Sequence, residues 1–402
     1  MQEYIIIGGG ASGLCASITL ARAGHKVVVL EQNKKVAKKL LASGNGRCNI
    51  TNKNISPKFF HSQNRDFVTE VLDGYGYEKI EEFFHSIGVH LTTLEENKVF
   101  PMSLQASSVV EALSFAAVNS GVNIVTECQI KSIDKKENHF TIQSQNQTYT
   151  SQNLIIATGS PAFARLGGSH SGYNFASRLN HPIIPQIPSL VPLVSDDKTL
   201  AQCSGVKIQS EVKLYANGEF ITQKSGDLLF SDYGVSGLAV LDISRYVSVA
   251  LSNFEYCELR VDLMPRYSKE RLVNMMLQTI QKDSNKPLWL YLNGFINHKL
   301  AKLIIQKSKT KAKYEKDLNR KEITKLVYSI KNLTIPIVDT VGFEKAEVSL
   351  GGIDTNYINP QNLQSKLVPN LYFLGEVLDV TGDRGGYNLH FAWVCGMRVA
   401  NA

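Results

Sequence analysis

Four apolar residues, Tyr4-Ile5-Ile6-Ile7, run straight into Gly8-Gly9-Gly10-Ala11-Ser12-Gly13, and no other junction constrains this chain as much. An unbroken, β-branched apolar run suits a strand buried on both faces, as in a parallel sheet. Residues 14–23 supply helix-forming side chains without proline, and Gly24 ends that helix. Residues 26–30 form a second apolar strand that stops at Glu31. The predicted unit is β-turn-α-β, with glycines at 8, 10 and 13.

Each glycine has its own mechanical reason. Gly8 permits the tight turn, Gly10 lets the backbone approach a pyrophosphate, and Gly13 lets the helix pack closely on the strand. Unpaired N–H groups of the first helical turn face the phosphates. Glu31 stands where an acid accepts hydrogen bonds from an adenosine ribose. Glycine-rich turns also occur in α/β proteins that bind nothing. Here the strand before, the helix behind and the acid beyond together point to a dinucleotide.

At 402 residues the chain is long enough for two or three domains. No apolar run approaches the length of a membrane span. The first strand begins almost at Met1, which leaves no room for a cleaved signal peptide. The six cysteines are scattered and form no CxxC pair. That pattern predicts a reducing cytoplasm and no metal site, and it excludes a dithiol mechanism of the thioredoxin-reductase type.

The net charge of +7 is unevenly placed, for residues 266–331 hold 16 Lys and Arg against 5 Asp and Glu. The remainder of the chain is therefore net acidic. Such an excess is either a solvated helical face or an electrostatic footprint for a polyanion such as RNA.

Beyond Glu31 a lysine-rich helical stretch is predicted, followed by Ser43-Gly44-Asn45-Gly46-Arg47-Cys48-Asn49-Ile50-Thr51-Asn52. So much glycine and amide suits a loop that brings backbone N–H groups and Arg47 to a ligand. A helix is predicted over 67–87, a turn at Val99-Phe100-Pro101 and a second helix over 107–119. Strands follow at 122–125, 128–133, 140–143, 149–150 and 153–157, the last ending in Ala157-Thr158-Gly159. Glycine there admits a second chain crossing beside a bound dinucleotide. Residues 189–193 mark an exit from the first domain, and 205–221 alternate as antiparallel strands around an Asn217-Gly218 turn. Residues 256–263 and 334–341 read as strands, and 268–331 as helical, with Leu272, Met275, Met276 and Ile280 on one face.

The second strong signal is C-terminal. An apolar strand at 370–374 runs into Gly375-Glu376-Val377-Leu378-Asp379, and Gly382-Asp383-Arg384-Gly385-Gly386-Tyr387-Asn388 then opens a helix at about Leu389. A helix N-terminus here directs its partial positive charge at a developing anion.

Together these segments resemble the BaiN/YhiN-like family of NAD(P)/FAD-dependent oxidoreductases, flavoproteins on the glutathione-reductase-like fold. The likeness rests on the residue 8–13 turn, SGNGRCNITN at 43–52, residues 99–101, Ala157-Thr158-Gly159, and 189–193. It continues through 226–237, Gly351-Gly352-Ile353 and GEVLDVTGDRGGYN at 375–388, so it spans nearly the whole chain. The chain departs from the family at Ser160, at Leu238 and at Leu350, where the pattern has Gly, Pro and Thr.

The resemblance implies an α/β fold, a Rossmann-like FAD-binding domain of the second glutathione-reductase type. A β-barrel-like domain carrying a helical subdomain is inserted in it. The implied division is FAD-binding domain at 1–193 and 345–402, β-barrel-like substrate domain at 194–265 with a return strand at 332–344, and basic helical insertion at 266–331. FAD is the implied cofactor. Gly8, Gly10 and Gly13 would sit on its pyrophosphate, Glu31 on the adenosine ribose, and Arg47 and Asn49 nearby. Glu376 and Asp379 would take the ribityl–phosphate side, with Gly386, Tyr387, Asn388 and Leu389 under the flavin pyrimidine. Further cofactor contacts are implied at Ala11, Ser12, Gln32, Lys39, Ser43, Gly46, Cys48, Ile130, Ala157, Thr158, Gly159, Gly375 and Gly385.

The single dinucleotide fingerprint leaves no dedicated NAD(P)H domain, so NAD(P)H would visit only transiently as electron donor. The expected function is a reductase passing hydride to an unsaturated small molecule. Alternatives are reduction of uridine in ribosomal RNA with the basic insertion holding the RNA, oxidation of a small amine, and a flavin redox sensor without turnover. Tyr387 and His390 are candidate proton donors, and Cys48 is a candidate thiol beside the ring. For Cys48 and His390, packing within the core is the competing role.

Overall fold

The computed structural model describes residues 1–401 and separates into two compact units. The first joins Met1–Ile187 to the chain from Val348 onward, and the second is Pro188–Glu347.

The first unit is organised by a seven-stranded sheet. Asn123–Val125, Val27–Leu30, Gln2–Ile7, Thr148–Ile156 and Leu371–Phe373 lie side by side and parallel. Phe140–Ser144 and Ile130–Lys135 extend it antiparallel from the first half of Thr148–Ile156. Ile5 and Ile6 are wholly buried, as an unbroken apolar run requires of a strand covered on both faces. Helices Ala11–Arg22, Ala106–Asn119 and Tyr387–Arg398 surround it, and the first and last pack directly on each other.

Register decides where the chain leaves this sheet. Ile7 pairs with Leu30 and Ile156, and Ile156 with Phe373. Gly8, Glu31, Ala157 and Leu374 therefore leave their strands in one row. Hydrogen bonds carry that row one residue further: Gly8 N–H to Leu30 O at 2.9 Å, Ala157 N–H to Ile7 O at 2.9 Å and Leu374 N–H to Ile156 O at 3.0 Å. Strand Gln2–Ile7 is followed in sequence by its neighbour on one side, while its neighbour on the other arrives from far along the chain. A reversal of this kind is where open α/β sheets bind ligands.

Several local expectations change. The helix expected over 67–87 is two helices, Arg65–Leu72 and Tyr77–Ser86. They part at Asp73-Gly74-Tyr75-Gly76, where Gly74 has φ +74°. The stretches at 149–150 and 153–157 form one strand, Thr148–Ile156. The turn expected at Val99-Phe100-Pro101 is the strand Lys98–Pro101, paired with Thr51–Asn52 and Leu91–Thr93. Only Lys38–Ala42 is helical in the lysine-rich stretch, and the last helix starts at Tyr387.

The second unit is a seven-stranded antiparallel sheet, ordered from Leu333–Ile337 at one end to Asp339–Thr340 at the other. Only Val338 separates those two strands in sequence, so the sheet must curl until its ends meet. Val338 N–H reaches Val194 O at 3.0 Å, and Ser195 Oγ donates to Pro336 O at 2.6 Å, which joins them as in a barrel. Asn217 (φ +48°) and Gly218 (φ +86°) make the expected hairpin turn. Helices Lys269–Thr279, Leu288–Leu292, His298–Ser308 and Arg320–Lys331 fill the stretch between strands Cys257–Asp262 and Leu333–Ile337. Leu272 and Met276 are buried, while Met275 and Ile280 are half-buried.

Candidate functional site

The row of strand exits carries the first group of candidate residues. A Cβ on Gly8 would lie 2.4 Å from Ala157 O, and one on Gly13 would lie 2.0 Å from Gly8 O. Both glycines are thus demanded by the protein's own backbone. Gly10 is different, for a Cβ there would meet nothing within 4 Å. Its missing side chain keeps open the space before the helix, and no side chain caps that end of Ala11–Arg22. A bare helical turn facing open space fits the pyrophosphate of a dinucleotide.

Glu31 is buried beside the turn. Oε2 accepts the Gly9 N–H at 2.8 Å, and Oε1 accepts the Asn33 backbone N–H at 2.8 Å and Nδ2 at 2.6 Å. A carboxylate has about four acceptor positions, so roughly one stays open to a hydroxyl. Gln32 Nε2 donates to Gly167 O at 2.9 Å. Glu127 N–H and Cys128 N–H bond to Asn33 O and Glu31 O, which brings the segment leading into Ile130 alongside.

The loop at 43–52 is held in sparsely populated backbone conformations. Gly44 and Gly46 have positive φ, and so do Asn45 (φ +57°) and Cys48 (φ +59°), which lack glycine's freedom. Arg47 lies 4.9 Å from the centre of the Phe100 ring. Ser43 Oγ donates to Leu40 O at 2.7 Å. Asn49 Oδ1 and Thr158 Oγ1 are buried with no partner within the protein. Two orphaned polar atoms suit a site whose ligand completes their bonding.

This loop and the C-terminal segment are bolted together. Lys39 Nζ lies 2.7 Å from Glu376 Oε2, and Ser349 N–H reaches Glu376 Oε1 at 3.2 Å. Gly159 faces the same carboxylate, since a Cβ there would stand 4.0 Å from Glu376 Oε2. Asn52 Nδ2 donates to Gly385 O at 3.1 Å, and a Cβ on Gly386 (φ +101°) would strike Thr51 O at 2.4 Å. Helix Tyr387–Arg398 begins there with neither a side-chain cap nor an acid in its first turn. Asn388 folds back: its Oδ1 accepts the Gly382 N–H and its Nδ2 donates to Gly382 O, both at 2.8 Å. Asp379 Oδ2 accepts the Gln63 N–H at 2.9 Å, and burial above all lifts its carboxyl above the usual range.

The three candidate catalytic side chains have different surroundings. His390 is wholly buried, with Nδ1 2.8 Å from Thr51 Oγ1 and Nε2 3.0 Å from Tyr75 O. A carbonyl can only accept, so Nε2 carries the proton and Nδ1 accepts from the threonine hydroxyl. Burial pushes this imidazole down to about 4. Cys48 is likewise buried, which pushes its thiol up to about 12. Tyr387 stacks on Phe59 with centroids 4.7 Å apart, and its hydroxyl makes one long bond of 3.4 Å to Asn54 O. Burial, and then Asp383, raises its pKa.

A residue that sequence reasoning missed stands close by. His61 Nε2 lies 2.8 Å from Asp383 Oδ1, in strand Phe60–His61, which pairs with Thr381–Gly382. The pair is separated by 322 positions, and a lone histidine after two phenylalanines gives no periodic signal. Among the described residues no cluster of three or more metal-ligating side chains occurs, and no helix is long and apolar enough to cross a membrane.

Residues 2–402 match the family model described as HI0933-like protein Rossmann domain. The chain is 32% identical over 405 residues to the 3-dehydro-bile acid delta(4,6)-reductase of Clostridium scindens, covering 100% of this chain and 99% of that one. It is 32% identical over 398 residues to the ribosomal RNA dihydrouridine synthase of Haemophilus influenzae, covering 98% and 96%. A solved 3-ketosteroid delta1-dehydrogenase from Sterolibacterium denitrificans shares the fold, with a TM-score of 0.51, 12% identity and coverage of 99% and 98%. The chain belongs to the HI0933-like family of Rossmann-type flavoproteins and is an FAD-dependent oxidoreductase.

Proposed function

We propose that this enzyme reduces a carbon–carbon double bond conjugated to a carbonyl, with NADH or NADPH as the electron donor. The observation that carries the reading is the bare N-terminus of helix Tyr387–Arg398, set against the loop of residues 43–52. Its N–H groups, which no side chain caps, favour negative charge gathering in front of them. When bound, FAD supplies hydride exchange at its N5. Full-length kinship with a delta(4,6)-reductase supports the acceptor class, because a 3-oxo group conjugated to such double bonds is an enone.

Reduction of an enone adds a hydride at the carbon β to the carbonyl and a proton at the α carbon. With FAD bound, Gly10 would leave room for its pyrophosphate in the turn that Gly8 and Gly13 close, Glu31 would take its ribose, and Lys39 with Glu376 would hold its middle. Tyr387 donates the proton. Its hydroxyl stays protonated at neutral pH and is tied only by a long bond to Asn54 O. His390 and Cys48 are committed within the core, and they shape the helix start and the 43–52 loop.

Two results are expected. Tyr387→Phe slows transfer to an enone by about 10²–10⁴-fold, the usual contribution of a positioned acid, while reduction of the flavin by the donor changes less than about twofold. Glu376→Gln leaves thermal stability nearly unchanged, since the pair with Lys39 is partly exposed. It weakens FAD retention by about tenfold, the worth of one charge-assisted bond. Anaerobic stopped-flow absorbance, with NADH or NADPH and then enone, reads the first. Equilibrium dialysis of FAD reads the second. If neither nucleotide bleaches the flavin, the donor assignment is wrong.

A further inference from the structure

In the reading above the chain's one glycine-rich fingerprint serves FAD, so a nicotinamide donor must find contacts for its phosphates elsewhere. A small group of charged side chains beside Tyr387 offers them. Strand Thr51–Asn52 pairs with Lys98–Pro101, with Asn52 opposite Lys98. A Cβ built on Gly385 would lie 3.7 Å from Lys98 Cε and 3.5 Å from Tyr387 Cε2. The lysine stem and the ring of the proposed proton donor therefore flank one glycine, and Arg384 precedes that glycine in the chain. Lys98 forms an ion pair with Glu96, whose side chain is 69% exposed against 20% for the lysine. Lys98, by hydrogen bond and charge, and then Arg384, by charge, hold the Glu96 carboxyl below its usual range. One acid thus stands before two cations.

The backbone that presents this acid is strained. Glu96 (φ +56°) and Asn97 (φ +58°) are consecutive left-handed residues, and neither is glycine. Their carbonyls are pinned, for Asn52 Nδ2 donates to Glu96 O at 3.1 Å and Lys53 N–H to Asn97 O at 2.9 Å. Leu94 N–H closes the turn on Lys98 O at 2.8 Å. Asn52 Nδ2 also donates to Gly385 O at 3.1 Å, so one amide ties the strained turn to the start of the Tyr387 helix. Strain of this kind persists where the surroundings over-determine it, and it gathers at ligand clamps. An ion pair kept only for stability contributes little at such exposure and needs no strained turn. A carboxylate held in water before two cations stands where a ligand anion would.

We propose that Lys98 and Arg384 bind the pyrophosphate of the nicotinamide donor, and that Glu96 holds their place until the donor displaces it. Arginine suits a phosphate through paired N–H bonds, and lysine as a point charge. The site adjoins Tyr387, where a dihydronicotinamide must come to reach the flavin. The inference rests on the reading above for the identity of the donor, and adds what holds it.

Calorimetry of NAD⁺ binding to the holoenzyme tests the proposal without turnover. Lys98→Gln should weaken binding about tenfold, and so should Arg384→Gln, since each removes one charge-assisted contact. Glu96→Gln should tighten it about threefold, because an exposed pair no longer competes. Anaerobic bleaching of the flavin is the second readout. With NADH, parent and variants should reach one limiting rate at correspondingly different concentrations. With N-benzyl-dihydronicotinamide, which carries no phosphate, they should bleach alike. A Lys98→Gln protein that binds NAD⁺ like the parent overturns the proposal. So does a Glu96→Gln protein that binds it more weakly, for Glu96 would then be a structural partner only. A loss confined to anionic enones in the oxidative step also overturns it, giving the two cations to the acceptor. If neither NADH nor NADPH bleaches the parent, the donor reading fails and takes the site with it. If they bleach it and the variants behave as the parent, the site alone is lost.

Discussion

Gly13→Val is expected to lower stability by about 3 kcal/mol or more and to abolish FAD retention, whereas Gly10→Ala abolishes retention alone. The two positions lie three residues apart in one turn, and the structure separates them. A Cβ at Gly13 would stand 2.0 Å from Gly8 O, and a backbone carbonyl cannot retreat without moving the strand that carries it. Overpacking of that kind usually costs about 1–3 kcal/mol, and a rigid backbone neighbour puts this case at the upper end. At Gly10 the added methyl meets nothing within 4 Å, and the backbone, at φ −80° and ψ −165°, is one any residue adopts. The cofactor-free Gly10→Ala protein should melt with the parent and yet be purified nearly colourless. Urea denaturation of the cofactor-free forms, with the flavin-to-protein absorbance ratio, checks both. A Gly10→Ala protein that keeps its FAD would show that the open space is not where the pyrophosphate lies.

Acid should weaken the fold through His390. Its folded pKa of about 4 lies below the ordinary imidazole value of 6.5, so between those values the unfolded chain binds the extra proton. Stability is then full above pH 6.5 and falls as pH drops toward 4. Between about pH 6.5 and 5 the loss is about 2 kcal/mol, from 1.36 kcal/mol per pH unit. Asp379 acts in the opposite sense, because its raised folded pKa makes proton uptake favour the folded state. Comparison with His390→Gln isolates the histidine. That variant should be less stable at pH 7.5, since Thr51 and Tyr75 lose their partner, but its stability should fall less between pH 6.5 and 5. Urea midpoints at both pH values in parent and variant check the sign. Parallel losses in the two proteins would contradict it.

What could be read from the sequence was local and periodic. The strand–turn–helix of residues 1–31 needs neighbours in sequence only, and so does the Asn217-Gly218 hairpin. The failures are places where tertiary structure overrides a local pattern. Thr148–Ile156 looks like two strands because it changes partner halfway, pairing first with Phe140–Ser144 and then with Leu371–Phe373. Lys98–Pro101 looks like a turn because its proline ends a run, yet Thr51–Asn52 and Leu91–Thr93 claim it as their middle strand. Arg65–Leu72 and Tyr77–Ser86 look like one helix because apolar spacing continues through Gly74 while the backbone does not. The site was legible as a set of segments and not as a geometry. No sequence pattern links Lys39 to Glu376 or His61 to Asp383, contacts made across 337 and 322 positions. Burial was also hidden, and it turns His390 from a candidate proton donor into a neutral bridge between Thr51 and Tyr75.

The central claim is hydride transfer to a conjugated double bond, and a single-turnover oxidation tests it without assuming a donor. Enzyme reduced anaerobically with dithionite is mixed with a cyclic enone, and the return of flavin absorbance is followed at about 450 nm. The account predicts saturable reoxidation with one saturated ketone formed per flavin, and none with an unconjugated alkene. Reduced enzyme that stays bleached before every enone, yet returns its absorbance with oxygen, would contradict it.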